Sequence, residues 1–206
     1  MPKITKLTRQ KHNENRVSVF VDDEYAFSIL DELIIEYGIS LNMDVSLLPL
    51  DKIKEEDDYK YCLSVAFKHF SASDKSEKQM RDFLHKKGFS EDSVEKVILR
   101  LKELNYIDDR AFARTFVEHS KKSGKRALIY KLQSKGISQE DIDLALENES
   151  DEIQEEKALD LAKKQLPKYA KLNDFEKKQK LNAFLIRHGF TWDIVSTVIE
   201  KLIKED

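Results

Sequence analysis

One cysteine, one tryptophan, three prolines and five glycines are all that this 206-residue chain holds of the residues that staple or break structure. The single Cys62 excludes an internal disulfide framework and a Cys-rich zinc site, and it suits a reducing cytoplasm. So few Gly and Pro leave room for long uninterrupted helices. No apolar run reaches membrane-spanning length, and Met1-Pro2-Lys3 leads into no apolar signal core, so a cytoplasmic protein without a membrane partner is expected. There is no Gly-rich phosphate loop, no dinucleotide fingerprint and no His-Glu-x-x-His pair. The five histidines (His12, His69, His85, His119, His188) lack metal-ligand spacing. No catalytic residue, metal or cofactor is therefore assigned. What remains is 40% apolar and 36% charged, a balance that fits a helix-rich protein with much exposed surface.

A fifteen-residue pattern then recurs three times. Leu84-His-Lys-Lys-Gly88-Phe89-Ser90 continues to Val94, Val97 and Ile98. Leu132-Gln-Ser-Lys-Gly136-Ile137-Ser138 continues to Ile142, Ala145 and Leu146. Leu185-Ile-Arg-His-Gly189-Phe190-Thr191 continues to Val195, Val198 and Ile199. The glycines lie 48 and 53 residues apart, close to the length of helical solenoid repeats. In each copy a helix ends, Gly takes the left-handed position, and an apolar residue packs back over the last turn. Ser or Thr N-caps the next helix. The i, i+4 pairs Met80/Leu84, Leu128/Leu132 and Leu181/Leu185 face the core of the middle helices.

The expected fold is mainly α: three tandem three-helix repeats after a small N-terminal β-meander with short helices. Alternation at Ile4–Arg9 and at Val17, Val19 and Val21 predicts antiparallel strands around the polar turn 11–15, and Asp22-Asp23 turns the chain into Tyr25-Ala26-Phe27. A helix follows at 31–36, and a second short helix starts near Leu48 and runs into the acidic residues 55–58. The expected boundaries are 1–57 for this extension, then 58–107, 108–149 and 150–206 for the modules. The modules' helices are expected at 59–70, 76–87 and 90–104; from Asp109, 125–135 and 138–147; and from Ala158, 173–188 and 191–204. Extra length falls around 165–169. Repeated small helical units build an elongated surface rather than a pocket, which points to recognition before catalysis.

The net charge of −3 hides segregation along the chain. Residues 110–135 hold eight Lys/Arg and one acid, Glu118, whereas 147–160 hold seven acids and one base, Lys157. The basic middle favours an anionic partner. Lys121-Lys122-Ser123-Gly124-Lys125-Arg126 spans a helix junction, where Ser123-Gly124 is expected to free backbone N–H groups for phosphate. An ordinary solvated turn is the bland alternative. Lys86, Lys87 and Lys135 precede the repeated glycines and extend a basic strip, although a C-terminal lysine also simply suits its helix dipole. Asp108-Asp109 reads as an N-cap with a dipole-complementing neighbour rather than a catalytic pair. His188, at a helix end, is expected to bond terminal carbonyls. Phe83, Phe112, Phe116, Phe184 and Trp192 are expected in cores, with Tyr106 and Tyr130 as candidates for exposure.

Leu104-Asn105-Tyr106-Ile107-Asp108-Asp109-Arg110-Ala111-Phe112-Ala113, then Ser123-Gly124-Lys125-Arg126, then Leu132-Gln133-Ser134-Lys135-Gly136-Ile137, resembles the RecX family of bacterial recombination regulators. Ser76-Glu77-Lys78 to Leu84-His85-Lys86-Lys87-Gly88-Phe89 agrees with that family's Ser-Glu to Leu-x-x-Lys-Gly-Phe motif. Val21-Asp22-Asp23-Glu24-Tyr25-Ala26-Phe27 looks like the hairpin extension of its longer members. The third module departs most, with Arg187-His188 before its glycine and a longer linker. The resemblance implies a curved, elongated, non-enzymatic modulator of RecA that binds the groove of the RecA–single-stranded DNA filament and suppresses ATP hydrolysis and strand exchange. An elongated monomer is the default expectation. Contacts to the filament are expected from Lys86, Lys87, Arg110, Arg114, Lys121, Lys122, Lys125, Arg126, Lys131 and Lys135, and the acidic 147–160 segment is a candidate protein-facing patch. The alternative is a RecA-independent nucleic-acid-binding protein with helix-turn-helix-like modules. A nuclease using Asp108 and Asp109 is the weakest reading.

Overall fold

The computed structural model describes residues 1–11, 13–70 and 73–204, so His12 lies outside the described residues. The chain forms two compact units, Met1–Ser73 with Met80–Tyr106, and Asp74–Gln79 with Ile107–Asp206.

In the first unit, strands β1 (Ile4–Gln10), β2 (Asn13–Val21) and β3 (Glu24–Leu30) form an antiparallel sheet in sequence order. The strand β2 begins inside the polar run expected as a turn. Asp22 and Asp23 both take positive φ, 47° and 67°, the two-residue geometry whose twist matches a hairpin. Ile4, Val19 and Ile29 from the sheet bury against Leu33 of α1 (Asp31–Glu36) and Ile53 of α2 (Leu50–Phe70). The α2 helix corrects the expectation of two pieces: nothing between Leu50 and Phe70 breaks a helix, so the acidic residues 55–58 lie within it. Asp57 is not a solvated member of that run. Its Oδ2 accepts from Arg16 Nη2 at 2.8 Å and its Oδ1 from the Leu30 N–H at 2.7 Å. Arg16 also donates to the Ser28 carbonyl at 2.7 Å and lies over the Tyr61 ring. One buried ion pair therefore joins the sheet to α2. Further along α2, Cys62 and Ala66 are fully buried, and the helix packs on α4 (Glu91–Glu103), whose Val94, Val97, Ile98 and Leu101 are buried. The helix α3 (Glu77–Lys86) buries Met80 and Leu84, the expected pair.

The second unit holds α5 (Asp109–His119), α6 (Lys125–Ser134), α7 (Gln139–Ala145), α8 (Asp151–Gln165), α9 (Asp174–Arg187) and α10 (Trp192–Lys204). The extra length of the third repeat is a 3₁₀ turn at Leu166–Tyr169. One core gathers Ala113, Val117, Leu128, Leu132, Ile137, Ile142 and Leu146. Another gathers Ala158, Leu161, Ala162, Leu181, Leu185, Phe190 and residues of α10.

The repeated motif is a Schellman turn in all three copies. The N–H of Phe89, Ile137 and Phe190 donates to the carbonyl of Leu84, Leu132 and Leu185, five residues back, and each glycine N–H donates three residues back. Gly88, Gly136 and Gly189 have φ of +89°, +82° and +87°. The invariant Leu and the apolar residue after Gly are thus the two ends of one hydrophobic contact. Ser90 and Ser138 then cap the following helices, accepting from the Ser93 and Asp141 N–H groups. Asn105, φ 57°, makes the same turn after α4, with the Tyr106 N–H donating to Leu101.

Two of these turns also receive a second helix. Within the second unit, the Ser76 hydroxyl donates to the Lys135 carbonyl at 2.7 Å and the Glu77 N–H to Asp109 Oδ1 at 2.8 Å. Likewise the Gly124 N–H donates to the His188 carbonyl at 2.8 Å, the Lys125 N–H to Gln154 Oε1 at 2.9 Å, and the Arg126 N–H to the Gly189 carbonyl at 3.1 Å. In each case the N-cap of a middle helix docks on the carbonyl before the next module's glycine. A side chain from that module's first helix takes the first amide. A Cβ on Gly124 would strike the Gly189 and Phe190 backbone, and one on Gly189 would strike Ala127. A Cβ on Gly88 would meet nothing within 4 Å.

Gly189→Ala should therefore cost roughly 3 kcal/mol or more, the left-handed penalty of about 1–2 plus overpacking of about 1–3. Gly88→Ala should cost only the first part, about 1–2 kcal/mol. Urea unfolding of the two variants checks this, and equal losses would remove the docking contribution. Asp57→Ala strands the buried Arg16 cation and should destabilise the first unit by about 3–5 kcal/mol, read from the same unfolding curves. Burial pushes the Cys62 thiol up to about 12. The thiolate is the reactive form, so maleimide at neutral pH should label Cys62 only after denaturant is added; labelling of the native protein would contradict its burial.

Candidate functional site

The ten cations singled out in the sequence divide by what they already touch. Arg110 leaves α5 to meet α7, its Nε 2.9 Å from Asp141 and its Nη2 3.3 Å from Glu140. This guanidinium, with help from the Ser138 hydroxyl, lowers the Asp141 carboxyl below its ordinary value. Lys131 Nζ donates to the Ser123 hydroxyl at 2.9 Å. The Lys135 ammonium sits 5.7 and 5.5 Å from the Phe112 and Phe116 ring centres while its carbonyl holds Ser76. These three are committed to packing. Lys125 is half-buried at the start of α6. Arg114, Lys121, Lys122 and Arg126 are exposed, with no carboxylate partner among the described residues. Lys86 and Lys87 are exposed in the first unit, where Lys87 lies 5.6 Å from the Phe83 ring centre.

The expectation that Ser123-Gly124 frees amides for a phosphate is overturned. The Ser123 N–H donates to Ser120, and the next three N–H groups go to His188, Gln154 and Gly189. The third repeat occupies these three amides, so the basic residues here meet an anion through their side chains.

The charge segregation of the sequence is also partly undone. Lys121 and Lys122 line an open groove of about 410 Å³ together with Lys157 and Lys164, but also with Glu118, Glu156 and Asp160. Within the acidic segment, Glu149 is buried, accepts from Lys157 Nζ at 2.6 Å and bonds the amide of Gln154. That pair orients Gln154 to cap α6. Glu155 pairs with Lys201. Gln154 gave no signal in the sequence, since its partner amide lies 29 residues away.

Asp108 caps α5 as expected, accepting from the Ala111 N–H at 2.9 Å, while Asp109 turns to the Glu77 amide. Neither carboxylate is part of a cluster of metal-ligating groups among the described residues. The His188 ring bonds the Phe184 carbonyl at 2.8 Å, as expected of a residue at a helix end. Phe112, Phe116 and Phe184 pack against their module cores, and Phe83 stacks on His69. Trp192 corrects its expectation: as the first residue of α10 it points away from the core and is 60% exposed. Tyr106 and Tyr130 are exposed, Tyr130 to 74%. A further cationic group, Lys168, Lys171, Lys180 and Arg187, lies in the third repeat, where no binding residue was expected.

No helix among the described residues is long and apolar enough to cross a membrane. Four family models match the chain: the regulatory protein RecX N-terminal domain over residues 2–46, and the first, second and third three-helix domains of RecX over 62–101, 108–146 and 152–199. The regulatory protein RecX of Clostridium botulinum strain Eklund 17B is 39% identical, covering 98% of this chain and 97% of its own. That of Bacillus licheniformis is 36% identical over 98% of this chain and 78% of its own. A crystal structure of regulatory protein RecX, 25% identical, superposes with a TM-score of 0.69 over 97% of this chain and all of its own. RecX from Lactobacillus salivarius, 27% identical, gives 0.64 over 71% of this chain and 97% of its own. Relatives with this repeated fold are named regulatory proteins rather than enzymes, and with four domain matches in order along its length the chain belongs to the RecX family of regulatory proteins.

Proposed function

We propose that the protein inhibits RecA in the cytoplasm by binding, as a monomer, in the groove of the RecA–single-stranded DNA filament, suppressing ATP hydrolysis and strand exchange. The observation that carries the placement of the contact is the set of exposed cations in the second repeat, Arg114, Lys121, Lys122 and Arg126, which no carboxylate holds among the described residues. In a chain of RecX membership, these are the side chains free to meet the phosphates of a DNA-loaded filament. Lys86 and Lys87 join them from the first unit, and Lys125 from the start of α6. Arg110, Lys131 and Lys135 contribute chiefly by holding the second repeat in shape, since each already has an internal partner.

The RecA contact itself falls to the acidic 147–160 segment, through the exposed acids of α8. The proposed modules, 58–107, 108–149 and 150–206 after an extension at 1–57, then act as successive contacts along the filament.

Titration into a DNA-dependent RecA ATPase assay should show inhibition at sub-stoichiometric protein. Charge reversal at Lys121, Lys122, Lys125 and Arg126 together should raise the half-inhibiting concentration at least about tenfold, since each lost phosphate contact removes a salt-dependent part of the affinity. Inhibition by the quadruple variant at the wild-type concentration would place the contact elsewhere.

A further inference from the structure

The third repeat carries a cationic groove that its sequence does not announce. Its extra length forms the 3₁₀ turn at Leu166–Tyr169, and this turn stands beside α9. The open space between them, about 550 Å³, is lined by Lys168 and Lys171 on one side and Lys180 and Arg187 on the other. Pro167, Tyr169, Ala170 and Leu172 complete it, and no acid is among the lining residues. This contrasts with the groove at Lys121 and Lys122, where three acids offset four lysines.

The four charges are also uncommitted. Lys168, Lys171 and Lys180 have no carboxylate partner among the described residues, and Arg187 uses only its Nε, donating to the Ala183 carbonyl at 3.2 Å. Its two terminal nitrogens stay available for a phosphate fork. Lys180 and Arg187 are seven residues apart on α9, so they lie on one face about 10 Å apart along the axis. Lys168 and Lys171 answer them from the opposite edge. Two facing rows of cations along an open groove suit a linear polyanion that passes through, rather than a small anion that must be enclosed. Tyr169 adds an aromatic ring to the lining; its hydroxyl is fixed by Gln165 Nε2 at 3.0 Å. The ring itself packs partly buried against the core of the third repeat, so recognition in the groove rests on its four cations.

We infer that the groove formed by Lys168, Lys171, Lys180 and Arg187 is a binding site for the phosphate backbone of single-stranded DNA. The inference deepens the reading of the chain as a regulator acting on DNA-loaded RecA, but it is tested without RecA, so the two stand or fall separately.

Binding of a fluorescein-labelled oligothymidine should be measured by anisotropy between 50 and 200 mM salt. The variant with Gln at positions 168, 171, 180 and 187 should bind at least about tenfold more weakly at the low-salt end. Its slope of log affinity against log salt should be shallower by about 2 to 3, near 0.7 for each lost phosphate contact. All four residues are exposed or peripheral, and a variant exchanging Lys for Arg at three positions and Arg187 for Lys should retain both affinity and slope. An unchanged slope in the Gln variant overturns the inference. So does displacement of the oligonucleotide by poly-glutamate as readily as by unlabelled oligothymidine, because that would mark a general acidic-peptide surface.

Discussion

The arrangement of the second unit depends on one unmet need at a helix end. A helix leaves its last carbonyls without intrahelical partners, and a Schellman turn satisfies only some of them. In α6 and α9 the carbonyl just before the glycine, that of Lys135 and of His188, is taken by the N-cap of another middle helix, Ser76 or Gly124. A helix start, short of acceptors, meets a helix end, short of donors. Their partial charges are also opposite in sign. The approach is so close that side chains are excluded on both sides at the Gly124–Gly189 contact. Glycine therefore has two separate roles here. At Gly189 it permits the left-handed turn and makes room; at Gly124, with φ of −74°, it only makes room.

The same contact decides where function resides. Because the third repeat consumes the amides at the start of α6, the basic residues around it act through their side chains, without the help a free helix N-terminus gives to an anion. Gln154 is drawn into the same junction and needs the buried Glu149–Lys157 pair to hold it. Part of the acidic segment thus serves internal capping rather than recognition. The α9 helix has no such docking: Asn173 and Glu176 close a capping box on their own. Its surface is left to line the groove with Lys168 and Lys171.

Much of the fold was legible because its determinants are local. The Leu-x-x-x-Gly-apolar-Ser motif encodes a turn, its hydrophobic contact and the next N-cap within a dozen residues, and Ser90, Ser138, Gly88, Gly136 and Gly189 all behave as it demands. Asp22-Asp23 and the alternation of β2 specify the hairpin in the same way. The continuity of α2 is not legible in the same way: the acidic run at 55–58 suggests a boundary, but acidity does not break a helix, and Asp57 is recruited by Arg16 from 41 residues away. Trp192 stands at a helical spacing consistent with burial, yet the first turn of α10 leaves that position facing water.

By itself, then, the sequence determined the helical periodicity and the turns, properties of residues within one or two helical turns of each other, and the recurrence of those local motifs along the chain marked the family. Tertiary structure alone decided which charges are free. Lys135 and Arg110 look like Lys122 and Arg126 in a string of letters, yet the first two are spent on Phe112, Phe116 and Asp141 and the last two are not. Lys168 and Arg187, to which the sequence assigns no binding role, come to line one groove because a 3₁₀ turn stands beside α9. Coulomb interactions depend on distance in space, and pairing between residues 19 or more apart in the chain is set by packing that no local pattern records.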